Sequence, residues 1–236
     1  MQFFTDIGLV VLGYLVGSIP FGLIIVKLKT GKDIRQVESG RTGGTNAMRA
    51  AGFSAGLATA LLDIFKATLT VWIAQVFTTN HWVYVLAPLA AILGHNYSLY
   101  LPERDEQGRF KRLRGGAGGA PALGGAIGLW PPTLLIIFPL GAAVFFGLGY
   151  ASITTLSVAF FATIIFAARF WAGAPGASWI DILYGVIAGA LLTWALRPNI
   201  KHLLNGTERV VRLSLHGWLK AKKGQREAAE ALDDVR

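Results

Sequence analysis

Between two long apolar runs lies a polar, glycine-rich segment, Ser39-Gly40-Arg41-Thr42-Gly43-Gly44-Thr45-Asn46-Ala47-Met48-Arg49. Its glycines let the backbone approach a ligand or take up positive φ, Ser39, Thr45 and Asn46 offer hydrogen bonds, and Arg41 and Arg49 add fixed positive charge. Such a segment suits an anion held at a membrane surface; it reads equally as a basic loop that merely obeys the positive-inside rule. A second glycine-rich segment, Gly115-Gly116-Ala117-Gly118-Gly119, follows the next basic stretch. Two such segments at corresponding depths point to a site. With His95, Asn96 and Asn199 they form a donor set fitted to a phosphate-bearing substrate, with chemistry that depends on positioning and charge stabilisation. Other chemistries are excluded. There is no cysteine, no HExxH, Walker A or dinucleotide fingerprint, and no histidine pair at metal-ligand spacing, so no cofactor and no metal are expected.

The elements that must position these groups are membrane helices. The chain is 53% hydrophobic and 15% charged, the composition of a polytopic membrane protein. Twenty of the 22 Lys and Arg fall in residues 27–49, 101–114 and 197 onward, which marks those segments as cytoplasmic. The net charge of +9 sits beside apolar spans, where it meets anionic lipid, and argues against nucleic acid as the partner. Spans are expected at residues 3–28, 53–77, 82–93, 120–130, 133–148, 152–170 and 179–196. The two prolines of Trp130-Pro131-Pro132 divide the fourth from the fifth. That division makes about seven crossings, with the N-terminus outside and every basic block inside. The expectation is an all-α polytopic bundle of about seven transmembrane helices, with short broken helices and glycine-rich loops at the cytoplasmic side.

Several polar residues within the spans admit two readings. Ser18, in Gly17-Ser18-Ile19-Pro20-Phe21-Gly22, either satisfies a carbonyl freed by Pro20 or faces a ligand cavity. Asp63 and Lys66, one turn apart, form a structural pair or orient the basic loop; in either case they must avoid lipid. His95 is a helix-capping or packing residue, or a member of the site. Gly185 and Gly189 permit close helix packing, Ser152 is placed as an N-cap, and Arg169 with Trp171 reads as an outer interfacial pair. Residues 1–208 are expected to form the membrane domain and 209–236 an amphipathic interfacial helix with a loose tail.

In order and spacing, a series of motifs resembles the bacterial acyl-phosphate:glycerol-3-phosphate acyltransferases. The likeness runs through Gly17 to Gly22, Asp33-Ile34-Arg35, Ser39-Gly40 with Gly43, Thr45, Asn46 and Arg49, Asp63 with Lys66, and Gly94-His95-Asn96. It continues in Gly115-Gly116-Ala117-Gly118, Tyr150-Ala151-Ser152, and Asn199-Ile200 ahead of Leu203 to Glu208. The resemblance implies a bundle in the bacterial inner membrane, N-terminus outside and C-terminus cytoplasmic, acting as a monomer on acyl phosphate and glycerol 3-phosphate. It implies catalysis at Ser39, Arg49 and His95, and substrate binding by Ser18, Arg35, Gly40, Thr45, Asn46, Asn96, Gly115, Gly116, Gly118, Ser152, Asn199 and Glu208. This chain departs from the family pattern at four positions. Ala117 stands where the family has lysine, Pro121 where it has threonine, Leu196 where it has histidine, and Arg41 where it has asparagine. Arg41 is expected to take over charge stabilisation from the missing lysine. The competing expectations are a paralogue with altered or lost activity on another phosphorylated or lipid ligand, and a small-anion transporter.

Overall fold

A computed structural model describes residues 1–211 and 213–222. Of the expected tail, Arg212 and residues 223–236 lie outside the described residues. The N-terminal apolar run forms α1 (Gln2–Gly17) and α2 (Phe21–Thr30), broken where Pro20 has no backbone donor. Gly31, at φ 71°, ends α2 in the left-handed conformation. A single 3-10 turn (Ile34–Gln36), capped by the Asp33 carboxylate, leads to α3 (Gly44–Ala51), a helix that the glycine-rich sequence does not announce. Next come α4 (Phe53–Phe77) and α5 (His81–Asn96). The polar stretch after α5 folds into a hairpin of β1 (Pro102–Arg104) and β2 (Phe110–Leu113). Four further helices follow: α6 (Gly119–Leu129), α7 (Thr133–Leu148), α8 (Ala151–Trp171) and α9 (Trp179–Leu204).

The expected count of about seven transmembrane helices is corrected by this structure. Among the described residues, four helical stretches are long and apolar enough to cross: Gln2–Thr30, Phe53–Phe77, Ala151–Trp171 and Trp179–Leu204. The other three segments counted as crossings form helices of 16, 11 and 16 residues. At 1.5 Å per residue the longer of them reach only ~24 Å, against a hydrocarbon thickness of ~30 Å. The Pro131-Pro132 step separates α6 from α7, so the prolines mark a helix boundary without adding a crossing of full length.

Glycine contacts hold the helices close. A Cβ on Gly13 or Gly17 of α1 would meet the Ala87 or Ala91 carbonyl of α5 at 2.4 and 2.2 Å, and one on Gly94 would meet the Tyr14 carbonyl at 2.1 Å. Gly124 of α6 lies as tightly on the Ile64 carbonyl of α4, and Gly185 of α9 on Thr163 of α8. The core between α5, α6, α8 and α9 is built on Leu89, Ile92, Ala126, Phe166, Tyr184 and Leu192, with the buried Tyr184 hydroxyl donating to the Ala122 carbonyl at 2.6 Å. Large apolar side chains such as Phe65, Leu135 and Phe160 remain exposed, as lipid-facing positions do in a bundle with no water around its flanks.

The two ends of the bundle differ. At one, Asn80 donates to Asp6 and His81 lies 2.7 Å from Asp181, which also completes the capping box of α9 with Ser178. Arg169, at that end, stacks on Trp130 with its guanidinium 4.3 Å from the ring, so its aromatic partner is Trp130 and not Trp171. At the other end lie α3, the hairpin, both glycine-rich segments and Asn199. Residues 215–222 are helical, and Leu215, Trp218 and Leu219 are exposed there.

Candidate active site

The two glycine-rich segments are brought together by their own backbones. Gly22 lets the Thr42 carbonyl approach α2, where a Cβ would meet that oxygen at 1.9 Å. The Thr42 N–H then donates to the Gly115 carbonyl at 3.3 Å, and the Gly116 N–H donates to the His95 carbonyl at 2.8 Å. A Cβ on Gly115 would fall 2.1 Å from the same His95 carbonyl. Gly118, at φ 88°, turns the chain into α6 against the Asn96 side chain. The Asn46 amide nitrogen ties the first segment from within, donating to the Ile34, Val37 and Arg41 carbonyls at 3.2, 3.0 and 2.8 Å.

Between these segments and the end of α9 lies a cavity of about 1180 Å³. Of the residues expected in the site, Ser39, Gly40, Arg41, Arg49, Asn96, Gly115, Gly116, Asn199 and Glu208 line it. Arg41 spans it. Nη1 donates to the Gly116 carbonyl at 2.9 Å, while Nη2 donates to the Ala195 carbonyl at 2.6 Å and to Asn199 Oδ1 at 3.3 Å. Burial holds the Arg41 pKa below its ordinary value, yet a guanidinium remains charged at any physiological pH. Its five N–H donors exceed the three acceptors found, so it keeps capacity for an anion. Asn96 is 4% exposed, and neither its Nδ2 nor its Oδ1 has a partner. A buried amide left unpaired is costly unless a ligand completes it.

Other expected site residues sit behind the cavity. Ser18 is buried with its hydroxyl on the Tyr14 carbonyl at 2.8 Å, one helical turn back, and not on the Val16 carbonyl that Pro20 frees. Arg35 forms a forked pair with Asp33, Nη2 to Oδ2 at 2.6 Å; this raises the Arg35 pKa and lowers that of Asp33. Asn46 has spent its amide nitrogen on backbone, and Thr45 and Gly118 shape α3 and the start of α6. His95 packs behind Gly116 with Nδ1 toward Lys66 and Asp63. Ser152, at the start of α8, donates from Oγ to Glu208 Oε2 at 2.6 Å, and a bridge between Tyr150 and Val210 adds a second tie to the segment after α9. Glu38 pairs with Arg209 across the cavity rim. Of the departures, Leu196 is buried away from the cavity and Ala117 is half-buried.

The sequence reading missed Arg112, Arg114, Tyr97, Lys201 and His202, which also line the cavity. Arg114 immediately precedes Gly115, and that adjacency was the available signal. Among the described residues no group of three or more acidic, histidine or cysteine side chains is placed to hold a metal.

A lipid-embedded helical bundle whose polar end closes several arginines and a backbone cradle around one cavity defines a membrane protein built for a phosphorylated ligand. Its kinship narrows the class. The family model described as glycerol-3-phosphate acyltransferase matches residues 7–206, and the chain belongs to that family. It is 34% identical over 201 residues to a glycerol-3-phosphate acyltransferase of Thermus thermophilus, covering 84% of this chain and 91% of the relative. It is 38% identical over 202 residues to that of Rhodopseudomonas palustris strain BisB5, covering 86% and 94%. The crystal structure of PlsY (YgiH), an integral membrane glycerol 3-phosphate acyltransferase in its glycerol 3-phosphate form, superposes with a TM-score of 0.71 at 33% identity, over 88% of this chain and 96% of that one.

Proposed function

We propose that the cavity between the two glycine-rich segments is where this enzyme performs acyl transfer. The chain is a glycerol-3-phosphate acyltransferase of phospholipid biosynthesis that moves a fatty acyl group from acyl phosphate to glycerol 3-phosphate. The 1-hydroxyl oxygen attacks the acyl carbonyl carbon directly, and the bond from that carbon to the phosphate oxygen breaks. The hydroxyl proton passes to His95 or to the substrate's own phosphate, and lysophosphatidate and phosphate leave. Ser39, Arg41, Arg49 and the glycine-rich amides stabilise the leaving phosphate, while Asn96, Asn199 and the Glu208 segment hold the glycerol phosphate. The observation that carries this assignment is Arg41, a half-buried cation with N–H groups to spare that joins both sides of the cavity.

The end of the bundle that carries this cavity faces the cytoplasm, with Met1 at the opposite, outer end. The enzyme works as a monomer, with residues 1–208 as its catalytic domain and the helical residues 215–222 as an interfacial appendage. Purified protein given acyl phosphate and glycerol 3-phosphate should release one phosphate per lysophosphatidate formed, without an acylated protein intermediate. Acyl-serine trapped on Ser18, Ser39 or Ser152 during turnover would show that attack is not direct.

A further inference from the structure

Beside the catalytic cavity lies a second, of about 850 Å³, bounded by Met48 and Arg49 of α3 and by the chain that follows α9. Glu38, Arg49, Thr207, Glu208 and Arg209 line both and form the wall between them. Most of the remaining lining, Val210, Val211, Leu213, Gly217, Lys220 and Ala221, lies past residues 7–206, the stretch that matches the family model.

This segment is fastened in place. The Val211 N–H donates to the Gly149 carbonyl at 2.8 Å. Ser214, 1% exposed, fills the space left by the missing side chain of Gly149, where a Cβ would meet Ser214 Oγ at 2.0 Å. The same oxygen accepts the Gly217 N–H at 3.0 Å and so fixes the start of the helix at 215–222. At helical spacing Gly217, Lys220 and Ala221 share the face that lines the cavity, and Leu215, Trp218, Leu219 and Lys222 share the opposite one. Leu215, Trp218 and Leu219 are each more than half exposed, and Lys222 Nζ lies 5.0 Å from the Trp218 ring. That is the outer face of a helix lying in a membrane surface.

The charges inside the second cavity are unevenly spent. Its two acids are taken, Glu38 by Arg209 and Glu208 by the Ser152 hydroxyl. Arg49 and Lys220 have no hydrogen-bonded or ion-paired partner among the described residues. Arg49 also faces the catalytic cavity, whereas Lys220 belongs to the second alone. These cations share the lining with Met48, Val210, Val211 and Leu213. An anionic phosphate answers the first group and hydrocarbon the second, so one molecule that carries both suits the lining better than a bare anion does.

We propose that the second cavity is a binding site for an anionic phospholipid, its headgroup phosphate held by Lys220 and Arg49 and the start of its acyl chains resting on Val210, Val211 and Leu213. The site stands apart from the acyl-transfer assignment, since no step of that reaction passes through Lys220.

The test uses the full chain in detergent with dioctanoyl phosphatidylglycerol as the probe, binding being read by native mass spectrometry across a concentration series. Dioctanoyl phosphatidylcholine, which carries the same phosphate beside a fixed cation, should bind at least about tenfold more weakly. Lys220→Glu should weaken phosphatidylglycerol binding by about tenfold or more. Lys222→Glu makes the same charge change on the opposite face of the same helix and should alter binding by less than about threefold. Equal losses in the two variants would mean that diffuse surface charge attracts the lipid, and equal affinity for the two lipids would mean that the headgroup charge is not read; either result overturns the proposal. Inorganic phosphate that displaces phosphatidylglycerol at equal concentration would show a site for the free anion and overturn the lipid assignment. Melting temperatures without lipid show which variants are folded, and if Lys220→Glu is not, Lys220→Gln, which removes only the charge, carries the same expectation.

Discussion

Arg41 occupies a position where the resemblance implies asparagine, and its guanidinium reaches the two places where that resemblance implies other cations. One contact is the carbonyl of Gly116, adjacent to Ala117; another is the carbonyl of Ala195, adjacent to Leu196. Charge-assisted bonds of this kind are worth ~1.5 to 3 kcal/mol each, and loss of one donor to a developing anion costs about 10²- to 10³-fold in rate. Arg41→Asn should therefore lower kcat/KM for acyl transfer by about 100-fold or more, and Ala117→Lys on that background should restore part of the loss beyond additivity. Wild-type rates in well-folded Arg41→Asn would remove the compensation idea. The polar character of Ser39 to Arg49 was legible because it interrupts apolar sequence. The partners of Arg41 were not, since they lie 75 and 154 residues away and no local pattern records such contacts. Likewise, Asn46 reads as a ligand-binding amide until its three backbone acceptors are seen.

Helix pairing here depends on missing side chains. Gly17 lies with the position of its absent Cβ 2.2 Å from the Ala91 carbonyl, and backbone cannot yield as a flexible side chain can. Gly17→Ala should separate α1 from α5 and cost about 1 to 3 kcal/mol, read as a lowered unfolding temperature in detergent. Gly8→Ala, with nothing within 4 Å of its Cβ position, should change it little. An equal fall for both would mean that packing does not set the effect. The long apolar elements were legible from their hydropathy, and the breaks at Pro20 and Pro131-Pro132 from proline chemistry. What hydropathy could not supply was length in space. A run of apolar residues reads as a crossing whether it is lipid-facing or wrapped by neighbours, and α6, with Leu123, Gly124, Gly125 and Ala126 buried, is of the second kind. The start of α3 was hidden because Gly43-Gly44 disfavours a helix by propensity, and packing of Ala47 with Val26 and Ile34 outweighs that cost.

At the scale of the molecule, charge separates the two ends. The end with Asp6, Asn80 and Asp181 carries few cations, whereas the other gathers the cavity arginines. With no native cysteine, single cysteines at Asn80 and Lys201 in intact cells should label from opposite sides, Asn80 from outside. Labelling of both from one side would sink the proposed orientation. The Arg41 bridge also bears on how such a chain can change over evolutionary time. Residues 41, 116, 195 and 199 come from three separate parts of the sequence, yet one guanidinium joins them. A lysine at position 117, as the resemblance implies for the family, would place a second cation beside the Gly116 carbonyl that Arg41 already holds. Arg41→Asn would release the Gly116 carbonyl, the Ala195 carbonyl and Asn199 from that guanidinium at once. A change at this one position is therefore felt in three distant parts of the sequence together.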